Sequence, residues 1–270
     1  MEECTVKVVI DSPYFRIYTD GRIDRLVGED FVPPSPQAET GVRSKDVVVS
    51  PNTGLSARIF MPQLPDPTRK PPPPPPVVFF HGGGFCIYSP FASRYHDHLA
   101  TIAAEANAVV LSVHYRRATE HLLPIAFGDA WKALRWAAAH YGGNGPEAWL
   151  NDHADFGRVF VVGASAGATL AHYTVRLAGV DGLGGIGIAG LATVHPYFDN
   201  GEPDMLMNTV SRPGSSRALK ESEWDGDVEI GETEGERHCF HLIDPTSPKA
   251  LALMKKLVSF LNTGLLDKHN

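Results

Sequence analysis

The chain has 270 residues, with 31 acidic against 24 basic side chains and a net charge of -7. No basic surface is available to neutralise phosphates, so nucleic acid is excluded as an expected partner. Hydrophobic residues make up 43% and charged residues 20%, which excludes global disorder and supplies one large core. One domain over residues 1–270 is expected, because α/β folds reach about 250 residues as single units. Cys4, Cys86 and Cys239 have no paired spacing, which argues against a disulfide framework or a zinc knuckle and for a reducing compartment. The cytoplasm is expected, with the nucleus as the alternative. Apolar runs fall short of the roughly 18 residues of a membrane span, and the first residues lack a secretion-signal pattern. The composition leaves the oligomeric state open.

In chain order, VKVVIDSPYFRIYTDGRIDR and RSKDVVVSPNTGLSARIFMP predict antiparallel strands at one edge of a sheet, with residues 1–40 as an N-terminal cap or edge segment. Thirteen of the 22 prolines lie between Pro33 and Pro76, and residues 66–76 form a proline-rich connector. The run KPPPPPP predicts extended polyproline II leading into the next strand; an SH3-type ligand is the alternative. VVFFHGGGF then reads as a buried strand breaking into a glycine loop, SRYHDHLATIAAEA as a helix and ANAVVLSVHYR as a second buried strand. DAWKALRWAAAHYG predicts a helix stopped by Gly142. GRVFVVG is a strand, AGATLAHYTVRLAG a helix and IGIAGLATVHP a strand. GDVEIGETEG predicts a last short strand. SPKALALMKKLVSFLNTG predicts a helix with Leu251, Met254, Leu257 and Leu261 on its apolar face. Continuous apolar strands alternating with helices indicate an α/β fold with a mostly parallel sheet covered on both faces.

Gly163-Ala164-Ser165-Ala166-Gly167 fits G-x-S-x-G between a strand and a helix. Such a turn strains its nucleophile and admits only small residues two positions either side, here Gly163 and Gly167. A serine capping the helix is the simpler reading of Ser165 taken alone. About 80 residues upstream, His81-Gly82-Gly83-Gly84 follows a buried strand. Successive glycines leave backbone N–H groups unshielded and able to face an oxyanion. Together the two motifs predict acyl transfer. A serine hydroxyl needs a base, and among 12 histidines His238, on the loop before the final helix, is the first candidate and His241 its competitor. Gly182, Gly184 and Gly187 match G-x-G-x-x-G but follow a helix and precede a strand, the reverse of a dinucleotide site. His96 and His98 point to different helix faces and no HExxH exists, so neither a metal nor a cofactor is expected. Trp131 and Trp136 read as packing residues.

The segments HGGGF at His81 to Phe85, YRRATEHLLPIAFGDAW at Tyr115 to Trp131, GASAG at Gly163 to Gly167, HPYF at His195 to Phe198 and EGERHCFHL at Glu234 to Leu242 resemble plant carboxylesterases of the hormone-sensitive-lipase type. These belong to the α/β-hydrolase fold, and the group includes the gibberellin receptor. The resemblance implies hydrolysis of small esters through Ser165 and His238, with an oxyanion hole from the N–H groups of Gly83, Gly84 and Ala166. The receptor branch replaces the histidine by an apolar residue, and His238 is retained. Departures are Ala164 where the family has Asp, and Arg117, Thr119 and Leu122 in the tyrosine-arginine stretch, which predict lost hydrogen bonds near the site.

Only 73 residues separate Ser165 from His238. The family's order needs a further strand, ending in the catalytic Asp, within that interval. The resemblance therefore implies that a βα unit on the order of 50 to 60 residues is absent around Thr209 to Ser216, and the family's acid with it. Loss of a strand leaves the position of His238 open. Asp199, just after LATVHP, is the candidate substitute acid, with Asp204 and Asp227 behind it. Two other readings are a catalytically impaired scaffold that binds a small ligand, and a shortened splice form or gene model.

Overall fold

The computed structural model describes residues 6–35, 41–63, 72–196, 229 and 231–263. Strands β1 (Val8–Asp11), β2 (Phe15–Tyr18) and β3 (Ile23–Arg25) form a small antiparallel sheet. Six further strands form the main sheet: β4 (Val42–Ser50), β5 (Leu55–Pro62), β6 (Pro76–Phe80), β7 (Val109–His114), β8 (Val159–Ala164) and β9 (Ile188–Val194). Their order is β4-β5-β7-β6-β8-β9; β4, β5 and β7 pair antiparallel, and β7, β6, β8 and β9 pair parallel. The helices are α1 (Ser93–Glu105), α2 (Ile125–Ala138), α3 (Ala148–His153), α4 (Ala166–Asp181), α5 (Phe240–Ile243) and α6 (Pro248–Leu261).

The apolar runs follow from burial on both faces. Side chains alternate across a strand, so Val78 and Phe80 of β6 join one core with Ala130 and Leu134 of α2 and Leu170 of α4, while Val77 and Phe79 join a second core with Leu99 and Ile102 of α1 and Leu257 of α6. The same split divides β8, with Val161 on the first side and Phe160 and Val162 on the second. Strand β6 has β7 on one side and β8 on the other, so the connections leaving β6 and β8 pass to opposite faces and open a crevice at their carboxyl ends.

Several expectations need correction. VKVVIDSPYFRIYTDGRIDR does not extend the main sheet; all four residues of β1 are exposed, and its strands pair only with one another among the described residues. Contact with the main sheet comes later, where Val32 O accepts from Arg58 Nη1 of β5 at 2.6 Å and Ser35 and Ser44 bond each other at 2.7 and 2.8 Å. Helix α2 starts at Ile125 and ends four residues before Gly142. The final helix buries Ala250, Leu257 and Leu261, and its face is turned so that Leu251 is 49% exposed. The predicted last strand falls partly outside the described residues; Gly231 to Gly235, inside them, is not a strand. That stretch carries exposed Glu232 and Glu234, which supply no apolar face to a sheet. The connector likewise falls mainly outside. Pro72 to Pro75 are irregular and lead straight into β6, their carbonyls used by Asp155 N–H at 2.9 Å and Val109 N–H at 3.0 Å.

The end of β7 is tied to α2 by one buried carboxylate. Asp129, 1% exposed, accepts from Arg116 N, Nε and Nη2 at 3.0, 2.9 and 2.7 Å. Removing it leaves three donors short of an acceptor, so Asp129→Ala is expected to lower unfolding stability by about 2 to 4 kcal/mol in urea titrations; a change below about 0.5 kcal/mol contradicts the role assigned to it.

Candidate active site

Ser165 stands between β8 and α4 with φ 53 and ψ -122, a conformation that costs a residue with a side chain on the order of 1 to 3 kcal/mol. The crossing chains leave no alternative. A β-carbon on Gly163 would lie 2.2 Å from the Gly167 carbonyl oxygen, and one on Gly167 would lie 2.0 Å from that of Phe80. The kink is held by Ser165 N–H donating to the Val194 carbonyl at 2.8 Å. Ser165 is thereby more than a helix cap: its side chain makes no cap bond to α4, and its Oγ lies 2.8 Å from His238 Nε2.

His238 is exposed and precedes Cys239, whose φ of 55 turns the chain into α5. Phe240, His241 and Leu242 of that short helix are buried, and Leu242 packs in the core of α1 and α6. His241, the competitor, faces inward and is 4% exposed. Its ring lies 5.3 Å from that of His98 and 5.5 Å from that of His195, and His195 is in turn 5.5 Å from His238. Its Nδ1 has no hydrogen-bond partner among the described residues.

The glycine loop lies against the same elbow, since a β-carbon on Gly82 would sit 3.0 Å from that of Ser165. Gly82 N–H donates to the Tyr95 hydroxyl at 2.7 Å. The N–H groups of Gly83, Gly84 and Ala166 have no acceptor among the described residues. Their peptide planes are fixed from the carbonyl side. Gly82 O lies 2.8 Å from His81 Nδ1, and Gly83 O accepts from Cys86 N–H and Ile87 N–H at 2.9 and 3.0 Å. Gly83 has φ 113, and a β-carbon there would meet the Ile87 carbonyl at 2.2 Å. His81 is fully buried, stacks on Tyr115 at 4.3 Å and receives the Tyr115 hydroxyl on its carbonyl at 2.8 Å.

Sequence reasoning missed Tyr95 and Tyr115. Tyr95 shares a helix face with Leu99, Ile102 and Ala103, and a hydroxyl at the end of such a stripe needs a partner when buried. Arg117 donates to the Tyr88 carbonyl at 2.9 Å and to Glu29 at 2.5 Å, adding bonds near the loop. Ala164 is buried in the second core, and Leu122 is exposed. Asp199, Asp204 and Asp227 lie outside the described residues, as does Thr209 to Ser216. Gly182, Gly184 and Gly187 lie between α4 and β9, away from any strand-to-helix turn. Trp131 and Trp136 pack against the first core. Among the described residues no cluster of three His, Cys, Asp or Glu side chains is arranged to hold a metal, and no helix is long and apolar enough to cross a membrane.

Burial pushes the His81 imidazole down to about 3; it pushes His241 down to about 2, with His98, His195 and His238 adding to the effect. Both rings are neutral in the folded protein near neutral pH, so His81 Nδ1 carries the proton that Gly82 O accepts. Below the ordinary value of 6.5 the unfolded chain takes up protons that these rings refuse. Stability is therefore expected to fall as pH falls from 6.5 to 5, by up to about 1.4 kcal/mol per pH unit for each ring. Urea unfolding across that range measures it, with His241→Gln flattening the slope; a pH-independent midpoint contradicts the burial of these imidazoles as neutral groups.

A family model described as the alpha/beta hydrolase fold matches residues 77–218. The chain is 36% identical to probable carboxylesterase 7 of Arabidopsis thaliana, over 93% of this chain and 97% of that protein. It is 33% identical to a 2-hydroxyisoflavanone dehydratase of Glycyrrhiza echinata, over 92% and 94%. The Arabidopsis alignment runs over 306 positions; 93% of 270 residues is about 251, so about 55 of those positions face a gap in this chain. Among solved structures, that of vibralactone cyclase superposes with a TM-score of 0.50 at 22% identity, over 59% of this chain and 44% of that one. The chain spans about half the length of the solved structures it matches. The chain belongs to the α/β-hydrolase family, in its plant carboxylesterase group of the hormone-sensitive-lipase type.

Proposed function

We propose that this protein is a serine carboxylesterase acting on small-molecule esters. The observation that carries the reading is the 2.8 Å contact between Ser165 Oγ and His238 Nε2 at a strained strand-to-helix turn. Relatives named as carboxylesterases along nearly the whole chain agree with it.

In the proposed reaction the Ser165 oxygen attacks the ester carbonyl carbon while His238 Nε2 takes the hydroxyl proton. The carbonyl electron pair moves onto oxygen, and the N–H groups of Gly83, Gly84 and Ala166 receive the oxyanion. Collapse breaks the bond to the leaving alcohol, which takes the proton from His238 and departs. Water, deprotonated by the same imidazole, then releases the acid from the acyl-enzyme and restores Ser165. Losing one oxyanion donor costs about 2.7 to 4 kcal/mol of transition-state stabilisation in comparable sites.

The acid that orients His238 belongs to the same proposal. Asp199 is the candidate, four residues past His195 at the end of β9. The gap against the Arabidopsis relative is assigned to the stretch between β9 and His238, the interval the family pattern fills with a strand and its acid.

Wild-type protein is expected to hydrolyse p-nitrophenyl acetate and to take a fluorophosphonate label covalently. Ser165→Ala removes both, and His238→Gln lowers turnover by about 10³-fold or more. A folded protein that never labels overturns the esterase reading in favour of a ligand-binding scaffold. For the acid, Asp199→Asn is expected to cut turnover by up to about 10⁴-fold, the effect of the same exchange in a serine protease triad; rates equal to wild type remove Asp199 from the mechanism.

A further inference from the structure

The loop from Gly83 to Tyr88, which follows the glycines, is a strained piece of chain. Phe85 and Tyr88 have φ of 64 and 65, and Gly83 and Gly84 are also positive. Something must hold it, because a residue in that region persists only where its surroundings over-determine it. Its carbonyl groups account for the restraint. Phe85 O accepts from Ala118 N–H at 2.9 Å, Cys86 O from Arg25 Nε at 2.6 Å, and Tyr88 O from Arg117 Nη1 at 2.9 Å.

Arg25 is the last residue of β3, 61 positions before Cys86. Its side chain is only 8% exposed. Besides Cys86 O, its guanidinium donates Nη2 to the Ala118 carbonyl at 3.0 Å and forks onto Glu120 at 2.7 and 2.5 Å. One planar cation therefore joins three separated segments: the small sheet, the loop after the glycines, and the stretch that follows β7. The chain beyond Arg25 continues along the loop. A β-carbon on Gly28 would sit 2.3 Å from the Tyr88 ring, Glu29 accepts from Arg117, Asp30 accepts from Ser93 N–H at 2.7 Å and Val32 N–H donates to Phe91 O at 2.8 Å.

We propose that Arg25 is a positioning residue for ester hydrolysis, fixing through the Cys86 and Ala118 carbonyls the loop whose glycine N–H groups receive the oxyanion. The inference rests on the esterase reading and adds to it a role for the N-terminal sheet. The planar fork is required, because a lysine ammonium cannot present four N–H groups in one plane to two carbonyls and a carboxylate. A displaced oxyanion donor matters in the transition state more than in substrate binding, so the effect belongs in kcat.

The test compares wild type, Arg25→Lys, Arg25→Met and the control Arg22→Met, which alters an exposed arginine that precedes β3 and pairs with Asp24. Three readouts are taken: kcat and KM for p-nitrophenyl acetate, thermal midpoint, and hydrogen exchange of peptides covering Gly83 to Tyr88. Both Arg25 variants are expected to lose about 10- to 100-fold in kcat, less than the roughly 100- to 1000-fold that follows from removing an oxyanion donor outright, because the donors are displaced and not lost. KM should stay within about threefold and the midpoint within a few degrees, with loop exchange raised about tenfold or more. The Arg22 variant should match wild type. Should Arg25→Met fail to fold, Arg25→Lys carries the test alone. An active wild type with undiminished kcat in Arg25→Lys overturns the positioning role, as does a kcat loss matched by a general drop in midpoint without selective loop exchange. An inactive, unlabelled wild type overturns the esterase reading instead. Loop exchange then still decides whether Arg25 holds the loop: unchanged exchange overturns that too, and raised exchange retains it as a purely conformational brace.

Discussion

The arrangement depends on two backbones crossing where no β-carbon fits. The loop leaving β6 passes over the first turn of α4 so closely that Gly167 would collide with the carbonyl oxygens of both Phe80 and His81. On the other side of the same turn, a β-carbon on Gly163 would collide with the Gly167 carbonyl in the same way. That contact forces the chain at Ser165 into its strained conformation and brings the triglycine loop beside the serine. The strain of roughly 1 to 3 kcal/mol is offset by the parallel pairing of β8 to β6 and β9 and by the bonds Ser165 N–H and Ala168 N–H make to Val194 O and Ser165 O. Bare N–H groups at the site are a consequence, since helix starts and glycine turns with positive φ leave donors without internal acceptors.

Around that crossing the polar groups are arranged so that buried imidazoles stay neutral. His81 is used as a hydrogen-bond donor to the peptide that carries the Gly83 N–H, and its burial keeps it in that state over any ordinary working pH. His195 and His241 are likewise held low by burial, to about 4 and about 2. Behind the exposed His238 the protein places uncharged rings, so the imidazole in contact with Ser165 Oγ meets no fixed positive charge from these neighbours.

The placement of His238 beside Ser165 has a structural cause. In the family pattern a strand delivers the histidine. Among the described residues of this chain, α5 and α6 do so, with Leu242 and Leu257 buried against α1 and His241 stacked near His98 and His195. The anchor thus lies on the second-core face of the sheet. Arg25, near the opposite chain end, and Arg117, just after β7, brace the loop, so the site draws on side chains from residue 25 to residue 242.

The α/β alternation, the strand-to-helix turn at Ser165 and the glycine loop were legible in the sequence because each is local: burial on two faces writes a continuous apolar run, and a tight turn writes its glycines. His238 was legible only as one of two histidines, and burial in three dimensions turned His241 inward. The N-terminal strands were recognisable as strands while their partners were not, because pairing is set by distant chain. Arg25, Tyr95 and Tyr115 gave little or no signal, since a side chain that bonds to a carbonyl 61 residues away leaves no spacing to read. Sequence by itself determined which short segments bend, strain and expose their amides; the tertiary structure alone decided which distant groups hold them there, because hydrogen-bond partners far apart in the chain are chosen by packing.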